Sequence, residues 1–316
     1  MPVNLEEVME EFNQCRAIAA EKLKAEPLPA NDKEARLRLE SEIAKYGLEK
    51  YVVQLETEGY TILPPDFGAP LKLVERVRNA ILRITAERDE AQLTIASKFA
   101  GTGRTYFHML PDDPVFEEAV VTPVMLTLVT YLVGYRAKLS LNTCAIKTNE
   151  LDERLAFHTD ISGRVPPPWP EISLTANVNW LLTDYTRENG ALCVVPGSHL
   201  WRKPPPPEFL NAHDHPDVKV VNAPAGSLVV WHSGLWHGAL PRTAEGKRIL
   251  MVLLFAREYW SGSEPFWLSA TKEMIARNPA RFGVLMGLQD LRSPYGRRGP
   301  RADLVATLSS DLGKWT

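Results

Sequence analysis

Hydrophobic positions in the first part of the chain recur at helical spacing. Leu5, Val8, Met9 and Phe12 fall at i, i+3, i+4 and i+7. Asn31 with Glu34 offers a capping box before a helix over 35–46, and Gly47 can end it. Leu48, Tyr51, Val52 and Leu55 repeat the spacing until Glu58-Gly59, after which Tyr60–Leu63 reads as a short strand. Pro70 can open a helix carrying Leu71, Val74, Val77 and Ile81, and Thr122-Pro123 can cap another with Met125, Leu128, Val129 and Leu132 on one face. Such stripes are the faces that helices turn toward a core. After Tyr135 the period falls to two: Leu139, Leu141 and Thr143 alternate with Ser140, Asn142 and Cys144. Further strands are expected at 174–182, 191–195, 218–221, 227–232 and 248–256, punctuated by Gly, Pro and Asn. Short strands with frequent turns and no long helices between them predict an antiparallel sandwich or barrel.

Composition narrows the class. The 316 residues are 45% hydrophobic and 24% charged, which suits a folded globular chain. The length allows two domains or one large barrel. A net charge of −3 carries no global basic footprint, so no nucleic-acid partner is expected. Cys15, Cys144 and Cys193 are an odd and sparse set without a CxxC pair, which points to a reducing, cytoplasmic setting. The acidic N-terminus has no apolar signal-peptide core, and no run of 18 apolar residues predicts a membrane span. The proline runs at 166–170 and 204–207 read as ordered loops, 271–276 as a helix and 292–301 as a basic surface loop.

The candidate chemistry begins at Phe157-His158-Thr159-Asp160. On a strand, residues two apart face the same way, so His158 and Asp160 can point at one ion. A third ligand is available from Trp231-His232-Ser233-Gly234-Leu235-Trp236-His237-Gly238, where either histidine fits. Two histidines and one carboxylate on one face of an ion, with open positions opposite, form the ligand set of non-heme Fe(II) oxygenases. His158 and His237 lie 79 residues apart, a separation that a jelly roll can close by bringing distant strand ends together. A second cluster, His213, Asp214, His215 and Asp217, sits among prolines and reads as an exposed loop; His108 and His199 read as structural. Eleven residues after His237, Arg248 opens the apolar strand Ile249–Phe255. A guanidinium there needs a partner if it points inward, and two parallel hydrogen bonds to a carboxylate would satisfy it.

Taken together these residues resemble the phytanoyl-CoA dioxygenase family of Fe(II)/2-oxoglutarate enzymes. The resemblance rests on FHTD at 157–160, ENGALCVVPGSHLW at 188–201, AGSLVVWHSGLWHG at 225–238 and Arg248, with YVVQLETEGYTILPP at 51–65 similar to the segment that leads into the family's fold. It spans roughly residues 48–260. It implies a mainly β fold with flanking helices: a double-stranded β-helix (jelly roll, cupin-like) core with a helical N-terminal region. Within a single domain over 1–316, that means a helical N-terminal extension at 1–47, a helical support layer at 48–134, the catalytic core at 135–260 and a C-terminal extension at 261–316. By the same resemblance His158, Asp160 and His237 are the iron ligands, and Arg248 grips the distal carboxylate of 2-oxoglutarate. The spacing to Arg248 selects His237 over His232. Thr143 and Asn179 fall where relatives place polar cosubstrate contacts. Relatives often carry a small hydroxyl residue two positions after the second histidine; here it is Ala239, and Thr243 is the candidate replacement.

The implied reaction is hydroxylation of a small organic molecule, lipid-like or a natural-product intermediate, using O₂ and releasing succinate and CO₂. Related halogenases lack the carboxylate ligand, so Asp160 speaks against halogenation. For the substrate, residues 161–171 could form a lid, Trp169, Trp180 and Trp236 could line a pocket, and Arg164, Arg202 or Lys203 could meet an anionic group; Arg164 and Trp236 are the leading candidates. Two other classes use the same fold: a hydrolytic metalloenzyme that needs the ligand triad without Arg248, and a non-catalytic carboxylate-binding protein.

Overall fold

A computed structural model describes residues 5–91, 104–149, 154–209, 211 and 215–289. The N-terminal part is helical. α1 (Leu5–Ala25) is followed by α2 (Asp32–Tyr46), α3 (Glu49–Thr57), strand β1 (Tyr60–Leu63) and α4 (Leu71–Glu90). The local signals explain the boundaries. The Asn31 side chain accepts from the Glu34 amide at 3.0 Å, while the Glu34 carboxylate accepts from the Ala30 amide at 2.9 Å. Gly47 ends α2 at φ 62°, a left-handed conformation that glycine adopts without penalty. Pro70 stands just ahead of α4 rather than inside its first turn. The short strand β2 (Arg104–Tyr106) and helices α5 (Pro114–Val120) and α6 (Pro123–Val133) complete this part.

The strand-rich part contains β3 (Lys138–Lys147), β4 (Leu155–His158), β5 (Thr175–Leu181), β6 (Leu192–Val194), β7 (Lys219–Val220), β8 (Leu228–His232), β9 (His237–Ala239) and β10 (Arg248–Ala256). They form two antiparallel sheets. The larger has the order β1-β8-β5-β10-β3-β2 and the smaller β4-β9-β6-β7. Facing sheets whose strands alternate along the chain make the jelly-roll core. Three short helices, α7 (Phe266–Ser269), α8 (Lys272–Arg277) and α9 (Ala280–Leu285), follow. Helical residues outnumber strand residues because the layers around the jelly roll are larger than the roll itself.

Alternation along each strand divides the large sheet into two working faces. On the outer face Cys144, Ile146, Val178, Trp180, Val230, Met251 and Leu253 join one apolar cluster with Val77, Ile81, Phe116, Met125 and Leu128 of the helices. Burying each large aliphatic side chain contributes about 1.5–3 kcal/mol. On the inner face Ala145, Leu181, Val229, Trp231 and Leu250 pack toward Leu192 and Val194 of the small sheet. Because β10 is covered on both faces, it reads as a continuous apolar run after its first residue. The terminal segments are not independent appendages. The Cys15 thiol donates to the Ala270 carbonyl at 3.4 Å, Lys22 reaches the Ala276 carbonyl at 2.6 Å, and Ala19 lies so close to Gly283 that a Cβ there would meet it at 2.8 Å. The basic stretch at 292–301 lies outside the described residues.

Candidate metal centre

β4 and β9 are neighbours in the small sheet, with His158 directly opposite His237. Their rings approach to 4.2 Å between centroids. The strands pass closely because residue 238 is glycine: a Cβ there would lie 2.5 Å from the Leu155 carbonyl oxygen. Asp160 follows β4 by two residues, and its Oδ1 is 3.6 Å from His237 Nε2. One ligand atom from each of His158, Asp160 and His237 lies within 4.8 Å of the others.

The surrounding hydrogen bonds set the protonation of each group. His158 Nδ1 lies 2.9 Å from the Ala156 carbonyl and His237 Nδ1 lies 2.9 Å from the Leu235 carbonyl. A carbonyl can only accept, so both Nδ1 atoms carry the proton and both Nε2 atoms keep a free lone pair. Burial, and then the neighbouring His158, hold His237 well below the usual imidazole range, so it is neutral. Asp160 is fixed from the large sheet. Trp231 Nε1 donates to its Oδ2 at 3.1 Å, and Asn177 Nδ2 reaches Oδ1 at 3.5 Å. Burial raises the Asp160 carboxyl, while His158, Asn177, Trp231 and Arg164 work in the opposite direction. Asn177 and Trp231 face each other across β5 and β8, so one row of the inner face presents both donors. Neither was singled out from the sequence. Trp231 stands next to His232 in a strand, and the alternation that turns His232 away turns Trp231 inward.

His232 is excluded as a ligand by its own bonds. Its Nδ1 accepts from the Gly234 amide at 3.0 Å and its Nε2 donates to the Glu171 carbonyl at 3.3 Å. Both nitrogens are spent, and burial lowers its pKa to about 3. His199 of the PGSH segment is structural: Nε2 donates to the Glu56 carbonyl at 3.1 Å, and its ring packs on Gly59. His215 stands in an aromatic cluster with Phe209, Trp201 and Trp236, its Nδ1 accepting from the Asp217 amide at 3.1 Å. His213 and Asp214 lie outside the described residues.

Arg248 is buried on the inner face of β10, in register with Lys147 of β3. Its guanidinium donates to the Gly190 carbonyl and lies over the Tyr185 ring, 5.5 Å from the centroid. Tyr185 Oη in turn accepts from Asn179 Nδ2 at 3.3 Å. Asn179 and Thr143 flank Val252 on neighbouring strands, so both line the interior. Tyr185 and Lys147 were not anticipated. Lys147 is fully buried and donates to the Leu240 carbonyl at 2.8 Å; the signal in the sequence was a lysine ending an apolar strand.

Three expectations need correction. Thr243 is exposed in the β9–β10 loop and bonds the Glu188 carbonyl, so it does not stand in for the hydroxyl missing at buried Ala239. Trp236 points away from the interior: it packs with Phe157, Cys193, Val195 and Leu240, and its Nε1 donates to the Lys203 carbonyl at 2.8 Å. As the strand neighbour of inward-facing His237 it has to face the other side. Trp180, beside inward-facing Asn179, is likewise on the outer face with Nε1 3.4 Å from Met125 Sδ. Trp169 belongs with Ile161, Val165, Leu174 and Trp260 in a small cluster beside the centre, and Arg164 lies exposed over the Trp260 ring at 5.7 Å.

Comparison with known proteins bears on the family and the fold. The profile of the family described as Phytanoyl-CoA dioxygenase (PhyH) matches residues 55–249, and the chain belongs to that family. Dioxygenase af480 of Aspergillus fumigatus is 33% identical over 203 residues, covering 60% of this chain and 63% of the relative. The multifunctional dioxygenase prhA of Penicillium brasilianum is 33% identical over 137 residues, covering 39% of this chain and 42% of that one. The matched stretch thus spans less than two thirds of either relative. Among solved structures, HygX from Streptomyces hygroscopicus with nickel and 2-oxoglutarate bound has a TM-score of 0.54 at 19% identity, covering 68% of this chain and 88% of that chain. SnoK, a non-heme alpha ketoglutarate dependent carbocyclase from nogalamycin biosynthesis, has a TM-score of 0.52 at 20% identity, covering 68% and 87%. At that identity the likeness is one of fold. Among the described residues no single helix is long and apolar enough to cross a membrane.

Proposed function

We propose that the chain is an Fe(II)- and 2-oxoglutarate-dependent dioxygenase that hydroxylates a small organic molecule. The observation that carries this reading is the pairing of a two-histidine, one-carboxylate cluster with a buried arginine inside the same jelly roll. The donor set fits the metal. Both imidazoles present Nε2, Asp160 presents Oδ1, and nitrogen and carboxylate ligands of this kind suit Fe(II). Bound there, iron would supply the redox chemistry: substrate C–H, O₂ and 2-oxoglutarate would give the alcohol, succinate and CO₂.

The remaining tasks fall to the chain. Arg248 pairs with the distal carboxylate of the cosubstrate, and the Tyr185 ring supports the guanidinium from the side. Lys147 adds a second positive charge in register. Thr143 and Asn179 flank the interior path; among the described residues Asn179 Oδ1 is buried without a hydrogen bond, a polar site that a bound cosubstrate could use. Trp231 holds Asp160 in place. Arg164 stands at the rim as a contact for substrate. A cytoplasmic location accords with three buried free cysteines, two of them, Cys144 and Cys193, with thiols that burial pushes up to about 12 and so keeps protonated.

The test is an anaerobic titration of the metal-free protein with Fe(II) and 2-oxoglutarate, followed in the visible spectrum. A weak charge-transfer band is expected in the wild type. It should vanish in His158→Ala and require far more 2-oxoglutarate in Arg248→Ala. Without a band at saturating metal and cosubstrate, the oxygenase reading fails and a hydrolase or binding protein takes its place. A band without succinate formation, whatever substrate is supplied, would favour the binding protein.

A further inference from the structure

A pocket of about 410 Å³ opens between Phe107, His108, Leu141, Ser263, Glu264 and Pro265. Its walls come from two segments to which sequence reading assigned no role: the stretch after β2 and the start of the C-terminal extension. Both are tied to β3 at an irregularity. Between Leu141 and Leu139 the pairing with β10 skips Ser140, a β-bulge. The carbonyl of Ser140, turned away from β10, accepts the amides of Ser263 and Glu264 at 3.1 and 2.9 Å. The Glu264 carboxylate then lies alongside β3, accepting the His108 amide at 2.8 Å on Oε1 and the Asn142 amide at 2.9 Å on Oε2. His108 is held at φ 55°, a left-handed conformation uncommon outside glycine, with Arg88 gripping the Phe107 and His108 carbonyls from behind. Non-glycine residues in this region persist where the surrounding structure over-determines them, often at ligand sites.

The pocket and the metal centre are linked by one row of the large sheet. Leu141, Leu254, Asn177 and Trp231 form one row across β3, β10, β5 and β8 on the inner face. Asn177 and Trp231 are the residues that hold Asp160. Neighbouring strands are about 4.8 Å apart, so Leu141 lies about 10 Å from Asn177, within the reach of one small molecule. The lining is carbon-rich at Phe107, Leu141 and Pro265. Its one carboxylate, Glu264, has four lone-pair positions of which the backbone takes two. Burial lowers His108, so that ring adds no fixed charge.

We propose that this space is the substrate pocket of the metal centre, and that it takes a mainly apolar molecule bearing a hydroxyl or amino group that donates to Glu264. The assignment rests on the metal-centre reading above and adds to it a substrate class. An apolar wall with an acceptor beside it favours such a molecule and, above pH 7 where Glu264 is ionised, disfavours a carboxylate, which would meet Glu264 with like charge.

Para-fluorophenylpropanol, the matching amine and the matching carboxylate test this by fluorine NMR at pH 8.5, where Glu264 is ionised. Titration of metal-free protein reads affinity; titration of Mn(II)-loaded protein reads distance, through paramagnetic relaxation of the bound probe. The alcohol and amine should bind at least about fivefold tighter than the carboxylate, the value of one hydrogen bond. Glu264→Gln should reduce that preference, and Leu141→Trp should block all three probes while Mn(II) uptake is unchanged. Strong relaxation of the bound alcohol is expected. Equal binding of the three probes, binding unaffected by Leu141→Trp, or a bound alcohol that Mn(II) does not relax would each overturn the proposal. A protein that takes up no Mn(II) would overturn it by a different route, through the metal reading, and the metal-free titration would tell the two failures apart.

Discussion

Trp231 carries a burden that can be measured. It is 2% exposed, and its Nε1–H donates to Asp160 Oδ2 at 3.1 Å, leaving Oδ1 directed at His237 Nε2. Trp231→Phe removes this donor while keeping an aromatic ring beside His237, whose ring centroid is 5.2 Å away. A hydrogen bond to a charged group contributes about 1.5–3 kcal/mol when its partner is buried. If the bond serves to orient the ligand, its loss should appear in metal affinity as a 10- to 100-fold weakening, about 1.4–2.7 kcal/mol. The two figures agree. Asn177 meets the same carboxylate at 3.5 Å, the outer limit of a hydrogen bond, so Asn177→Ala should weaken metal binding by less than about fivefold. The assay is chelator competition for Mn(II) or Co(II), with circular dichroism confirming that both variants are folded. A folded Trp231→Phe protein that binds metal within about threefold of the wild type would refute the reasoning. It would mean that Asp160 is oriented by the metal itself rather than by the large sheet.

Thr243→Ala should leave 2-oxoglutarate affinity within about twofold of the wild type, since Thr243 is an exposed loop residue; a larger loss in the spectral titration would return it to the site. Gly59→Ala should destabilise the protein by about 1–3 kcal/mol in denaturant unfolding, because φ is +81° there and the new Cβ would lie 2.5 Å from His199 Nδ1; an unchanged midpoint would contradict this packing. Glu264 is raised from 4.5 to about 7, chiefly by burial. A raised carboxyl binds its proton more tightly in the folded state, so its contribution is complete below pH 4.5 and is lost as pH climbs through 7, a fall of about 3 kcal/mol. Unfolding free energies at pH 5 and pH 7.5 should therefore differ less in Glu264→Gln than in the wild type, and equal differences would show that Glu264 is not the titrating group.

How far the site was legible from sequence depended on how local each signal was. His158 and Asp160 stand two apart on one strand end, so their common direction follows from strand geometry alone. Arg248 declared itself as a charge at the head of an apolar strand. The same alternation rule could have removed Trp236 and Trp180 from the pocket, since each adjoins a residue already assigned to the interior. Thr243 could not be placed this way, because it stands four residues into the loop after β9, which leaves its direction open. Trp231, Asn177 and Lys147 gain their roles only through strand register, which sets Asn177 against Trp231 and Lys147 against Arg248, and Tyr185, beyond the end of β5, gains its role only by packing against Arg248.

Hydrophobic period, caps and turn residues determined the order of helices and strands and most of their limits, because those signals act over a few residues. The candidate metal-ligand types and the arginine were legible at the same level, as a combination of side chains that few other sites share. Tertiary structure alone decided which histidine nitrogen is free, which donors hold Asp160, and that Glu264 closes a pocket against a bulge 124 residues earlier at Ser140. These are contacts between segments far apart in the chain. Their geometry depends on sheet order and register, and no stretch of local sequence contains either.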